Sequence, residues 1–137
     1  MAEKSVLTVD NELLKEIKFD EKGLVPGIVQ DIHSGEILMQ AFMNEESLQK
    51  TFETGNATFW SRSRKKLWMK GETSGNVMKA VGLLLDCDAD SIVILVKPAG
   101  PACHTGERTC FYRVLAKDEN AQQHEGGCEC CDGGCGG

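Results

Sequence analysis

The chain lacks a long apolar run. No segment approaches the roughly 20 apolar residues that a membrane-spanning helix requires. The longest such stretches, around residues 81–85 and 92–96, are short and end in charge. The opening residues, MAEKSVLTVDNELLKEIKFD, hold no apolar run like that of a secretion signal. Positive charge is not in excess either: 15 Lys and Arg stand against 21 Asp and Glu, a net charge of −6. Nonspecific nucleic-acid binding needs a positive field, so the charge argues against that class. A local basic pocket can still hold a small phosphorylated molecule. One region lacks apolar residues altogether. Residues 117–137 contain no Val, Ile, Leu, Phe, Trp, Tyr or Met, and a segment with nothing apolar to bury cannot offset the entropy of its own ordering.

Cysteine, by contrast, is abundant. Seven cysteines make an odd number, and without a secretion signal they imply reduced thiols in the cytoplasm rather than a disulfide framework. Three of them, Cys87, Cys103 and Cys110, share residues 86–110 with Asp86, Asp88, Asp90 and His104. Metals are the usual reason for such a mixture. Thiolates suit zinc, and carboxylates suit magnesium or calcium. In an extended backbone, successive side chains alternate between faces. Asp86, Asp88 and Asp90 would then share one face, with Cys87 on the other. Three thiols are one ligand short of a closed structural zinc, which leaves a fourth position for water. An apolar role as small buried hydrophobes does not explain a thiol between two carboxylates.

A length of 137 residues makes one domain with room for a core. Leu13, Leu14 and Ile17 predict a helix over residues 11–18, capped by Asp10 or Asn11. Residues 24–31 and 36–43 read as strands joined at His33-Ser34-Gly35. Asn44 is placed to cap a helix through about Thr54, with Glu45 and Glu46 in its first turn and Gly55 after its end. Residues 57–61 and 66–70 predict a strand pair around a basic turn. Residues 77–85 and 91–97 predict two more strands, connected by residues 86–90, and residues 111–115 a last one. The expected fold class is α+β, mainly β.

The string DCDAD…GPACHTGERTCF closely resembles the signature of the phosphoribosyl-AMP cyclohydrolase family of histidine biosynthesis. The likeness continues upstream through Gly23-Leu24-Val25-Pro26, Met39-Gln40-Ala41-Phe42-Met43-Asn44, Phe59-Trp60-Ser61-Arg62-Ser63-Arg64 and residues 68–76, WMKGETSGN. It covers about residues 12 to 116. The resemblance implies a mixed folded sheet, like a half-closed barrel with short flanking helices, in a homodimer. It implies hydrolytic opening of the adenine ring of 1-(5-phosphoribosyl)-AMP, the third step of histidine biosynthesis. Water adds at C6 and the N1–C6 bond then breaks. Zinc would be held by Cys87 of one subunit with Cys103 and Cys110 of the other, and magnesium by Asp86, Asp88 and Asp90. Many relatives carry a second, pyrophosphohydrolase domain, for which this length leaves no room, so that step is expected on another chain.

Such a reaction needs water made nucleophilic at neutral pH, and zinc lowers the pKa of water. Three thiolates weaken that effect, so a neighbouring base is expected to help. His104, beside Cys103, titrates in the right range and is expected to shuttle a proton or touch substrate. The substrate carries two phosphates. Arg62, Arg64, Lys65, Lys66 and Lys70 cluster beside Trp60 and Trp68; arginine forks bind phosphate and an aromatic stacks on a purine. Arg62, Arg64, Lys70 and Trp60 are the expected contacts, with Thr73, Ser74 and Asn76 in a polar loop where Gly75 permits close approach. His33 is given no role.

Residues 1–116 are thus expected to form the catalytic domain, and residues 117–137 a disordered Gly/Cys-rich tail. Within the tail, His124, Cys128, Cys130, Cys131 and Cys135 could hold extra metal or sense redox state, although Cys130 and Cys131 are too close for ordinary zinc-knuckle spacing. Two other functions compete with this reading. A nucleobase deaminase needs H-x-E and P-C-x-x-C, and neither occurs. A non-enzymatic zinc-binding module or metal buffer would bind zinc and turn over nothing.

Overall fold

The computed structural model describes residues 7–71, 75–100, 106–118 and 120. In chain order the elements are α1 (Asn11–Leu14), β1 (Val25–Asp31), β2 (Ile37–Met43), α2 (Glu45–Thr54), β3 (Thr58–Ser61), β4 (Lys66–Met69), β5 (Met78–Leu85) and β6 (Ile92–Pro98). The domain is mainly β with short helices, as its patterning predicts.

Local chemistry sets most of these boundaries. The Asn44 side chain accepts from the Ser47 N–H, and Ser47 Oγ accepts from the Asn44 N–H, a reciprocal cap that starts α2. Gly55 ends it in the left-handed region at φ 78°, where glycine carries no steric penalty. Between β1 and β2, the buried Asp31 carboxylate accepts from the N–H groups of His33 and Ser34.

Two expectations fail. The first helix spans four residues rather than eight. Glu16 and Ile17 bond back three residues in a tightening turn, and the Lys18 N–H then bonds to the Ala89 carbonyl. A single helical turn gains little by itself, so that tertiary bond redirects the chain. Residues 111–115 form no strand. Phe111, Tyr112, Val114 and Leu115 are exposed there, Leu115 completely. Their strand propensity has no partner strand to act on among the described residues.

The main sheet runs in the order β2-β1-β6-β5, with β1 and β6 parallel and the other pairs antiparallel. It is mixed and does not close into a barrel. The β3–β4 hairpin forms a separate two-stranded sheet. One face of the main sheet presents Val25, Val29, Ile92, Ile94 and Val96 to a core completed by Leu48 of α2 and Phe59 of β3. The opposite face carries Pro26, Ile28, Val93 and Leu95, which are only half-buried.

Phe59 is fully buried and stacks on Trp68 with ring centroids 5.1 Å apart. Phe59→Ala is therefore expected to destabilise the domain by about 3–5 kcal/mol. Chemical denaturation checks this; a loss below about 1 kcal/mol would show that the two sheets are not mutually dependent.

Candidate active site

The site begins in the turn that joins β5 to β6 past the last pair, Leu85 with Ile92. This turn is not extended, so the alternating-face argument does not describe it. The Ala89 N–H bonds to the Asp86 carbonyl at 2.9 Å, and Asp86 Oδ1 accepts from the N–H groups of Asp90 (2.9 Å) and Ser91 (3.3 Å). Ala89 adopts φ 62° to complete the curl. A tight turn, not strand parity, gathers Asp86, Asp88 and Asp90. Their carboxylate oxygens lie within 4.8 Å of one another, all on exposed residues.

Asp86 and Asp90 shift in opposite directions. Asp90 is raised above the ordinary value, first by its side-chain hydrogen bond with Asp86, then by burial and by the charges of Asp86 and Asp88. Burial is the largest influence on Asp86 and pushes it up, but its bonds from Asp90, Ser91 and Ala89 together bring it below 3.8. Ionised Asp90 thus costs stability above its raised pKa, a cost that vanishes as pH falls below 3.8. Asp86 acts oppositely: its contribution is full above 3.8 and is lost as pH falls through its lowered pKa. A hard divalent cation would remove the first cost, and an all-oxygen, exposed donor set fits magnesium or calcium.

Cys87 projects from this same turn and is exposed. Cys110 lies elsewhere. Its N–H bonds to the Leu38 carbonyl at 2.7 Å, and the Thr109 hydroxyl donates to the carbonyls of Ile37 and Leu38. Arg108 pairs with Glu36 alongside. Cys110 is therefore pinned to β2, at the opposite edge of the sheet from β5. Two strand spacings separate β2 from β6, about 10 Å. Two thiolates on one tetrahedral zinc must approach to within about 4 Å, given bonds of about 2.3 Å. That strand spacing exceeds the thiol separation by more than a factor of two, which argues against one chain supplying both Cys87 and Cys110.

Trp60 and Arg62 come together, as expected, in an open recess of about 510 Å³. Arg64 and Lys70 do not line it. The Arg64 N–H bonds to Ser61 Oγ in the β3–β4 turn, and the Lys70 N–H bonds to the Ala57 carbonyl. Trp68 serves packing, against Phe59. Asn76 is wedged between Gly71 and Gly100, where any Cβ would overlap it, so both glycines are required for close approach. Cys103, His104, Thr73 and Ser74, with His124 and the four tail cysteines, lie outside the described residues. The recess also contains Lys22, Gln40 and Phe42, which sequence reasoning did not assign to the site. Gln40 and Phe42 fall in the Met39–Asn44 motif, which had no chemistry attached, and Lys22 directly precedes Gly23-Leu24-Val25-Pro26.

A family model described as phosphoribosyl-AMP cyclohydrolase matches residues 39–112, more than half of the chain and all of the acidic turn and Cys110. The chain belongs to the phosphoribosyl-AMP cyclohydrolase family. It is thereby an enzyme, a hydrolase, and not a passive metal buffer. It is 57% identical over 104 residues to the phosphoribosyl-AMP cyclohydrolase of Archaeoglobus fulgidus, covering 76% of this chain and 96% of that one. The corresponding protein of Clostridium botulinum is 56% identical over 105 residues, with 76% and 96% covered. The histidine biosynthesis bifunctional protein HisIE of Thermus thermophilus is 57% identical over 106 residues, covering 77% of this chain but 50% of that protein. The chain thus spans about half the length of that bifunctional relative, and nearly all of the two cyclohydrolases.

Proposed function

We propose that this chain opens the adenine ring of 1-(5-phosphoribosyl)-AMP at the N1–C6 bond, using zinc and magnesium, as a cytoplasmic homodimer. One observation carries the metal part of the reading: a single turn presents Cys87 and three clustered carboxylates together. Cys87, Cys103 and Cys110 are the proposed zinc ligands, and Asp86, Asp88 and Asp90 the magnesium ligands. Bound zinc supplies the means of making water nucleophilic at neutral pH. Magnesium held by the carboxylates would supply a counter-charge for a phosphate-bearing substrate beside that centre. His104, one residue from Cys103, is the proposed proton-handling group.

The separation of Cys87 from Cys110 across the sheet favours a zinc site assembled from two chains. A two-fold axis would then create two equivalent sites. The half-buried face of Ile28, Val93 and Leu95 offers apolar area for such a pairing. No helix among the described residues is long and apolar enough to cross a membrane.

The test is an absorbance assay of phosphoribosyl-AMP conversion by chelated and then zinc-restored protein. Activity should vanish on chelation and return with zinc. Full turnover in metal-free protein would refute the reading. A second expectation separates the metals. Asp88→Asn should raise the magnesium needed for half-maximal activity at least about tenfold while zinc content stays unchanged. Parallel loss of zinc would disprove two distinct sites.

A further inference from the structure

The recess beside the acidic turn has a composition that the rest of this acidic surface does not explain. Lys22 and Arg62 both line it, and neither forms an ion pair among the described residues. Each is held by its own device. The Arg62 guanidinium lies over the Phe42 ring, 4.1 Å from the centroid. Stacking occupies the faces of a planar guanidinium and leaves its N–H edge for an oxyanion.

Lys22 sits in a turn closed by Asp20. The Asp20 carboxylate accepts from the N–H groups of Lys22 (2.8 Å) and Leu24 (2.9 Å), and the Asp20 carbonyl accepts from Gly23. Gly23, at φ 78°, supplies the left-handed step. The Leu24 N–H first, and then the charges of Lys22 and Arg62, hold the Asp20 carboxyl below its ordinary pKa, and it forms no ion pair with either cation among the described residues. Trp60, Gln40 and Ser63 add a flat apolar wall and neutral polar groups. Two cations, an indole and small polar groups suit a phosphorylated ribose better than a metal or an apolar ligand.

Position supports the same ligand. Phe42 pairs with Pro26 across β1, and Gly27 pairs with Ile92 at the start of β6. The recess therefore lies at the end of the sheet where the acidic turn lies. The Lys18 N–H bonds to the Ala89 carbonyl of that turn at 2.7 Å. Lys22 follows four residues later, so at most about 14 Å of chain separates the two places. One nucleotide spans a distance of that order.

We propose that this recess binds a phosphate monoester on the substrate's ribose, with Lys22 and Arg62 as its charged contacts and Phe42 as the positioning residue for Arg62. The proposal rests on the nucleotide reading above and adds to it a subsite and a residue, Lys22.

The experiment uses ribose 5-phosphate as probe and adenosine as its phosphate-free control. A Trp68→Phe background leaves Trp60 as the reporter, since the chain has two tryptophans. Ribose 5-phosphate should change Trp60 fluorescence saturably. Lys22→Ala should weaken that binding about tenfold or more, the scale of one charge-assisted hydrogen bond, and Lys22→Arg should restore most of it. Adenosine affinity should not depend on Lys22. In turnover, Lys22→Ala should raise KM with kcat held, the mark of a lost binding contact. Lys22 is exposed, so its melting temperature should not move. Unchanged ribose 5-phosphate binding in Lys22→Ala, or an equal loss for adenosine, would overturn the proposal. If the unmodified protein opens no adenine ring yet binds ribose 5-phosphate through Lys22, the proposed reaction fails and the subsite stands.

Discussion

Cys110→Ser is expected to lose nearly all turnover and its bound zinc, with little change in folding. The reason is how Cys110 is held. It is anchored to β2 through its backbone N–H and through the neighbouring Thr109 hydroxyl. Serine keeps that anchor and replaces the soft ligand by a hydroxyl. Groups that merely orient metal ligands cost about 10–100-fold in affinity or activity when removed. Loss of a ligand should exceed that, leaving below about 1% of the original rate. Cys87→Ser should behave alike, since Cys87 lies exposed in a turn that backbone and Asp86 bonds close without it. Zinc content, turnover and melting temperature measured together check the prediction. A Cys110→Ser protein with full activity would remove Cys110 from the metal centre. A collapsed melting temperature would instead assign it a structural role.

Mixing these two inactive variants should then restore about a quarter of the original activity. Random exchange of subunits makes about half of the dimers mixed. If each zinc site takes Cys87 from one chain and Cys110 from the other, a mixed dimer collects both defects in one site and neither in its twin. Half of the dimers with one good site in two amounts to a quarter. The sheet order makes this outcome the expected one, because β2, to which Cys110 is bonded, and β6, which the Cys87 turn leads into, lie two strand spacings apart, about 10 Å. If one chain supplied all three thiols, every site in the mixture would carry a defect. No activity would return, and the shared site would be disproved.

The sequence by itself determined what depends on near neighbours. The helix α2 was legible to within a residue because its cap, Asn44, and its stop, Gly55, act within one turn. The strands were legible because hydrophobic alternation and turn residues are local signals. The mixture of thiols and carboxylates in residues 86–110, with the motifs around it, was enough to place the chain in its family.

Tertiary structure decided what depends on contacts between distant segments. The parallel pairing of β1 with β6 leaves no mark in either strand. It sets β2, to which Cys110 is bonded, two strands from β6, and the proposal of a shared site rests on that separation. The acidic turn curls through Ala89 at φ 62°. Alanine carries no signal for that conformation, so the carboxylates were expected in the right company for the wrong geometric reason. Residues 111–115 have strand-forming side chains, but a strand exists only where another offers its edge. Lys22 and Arg62 lie forty residues apart in the chain, and only the packing of β2 against β3 brings them to one recess.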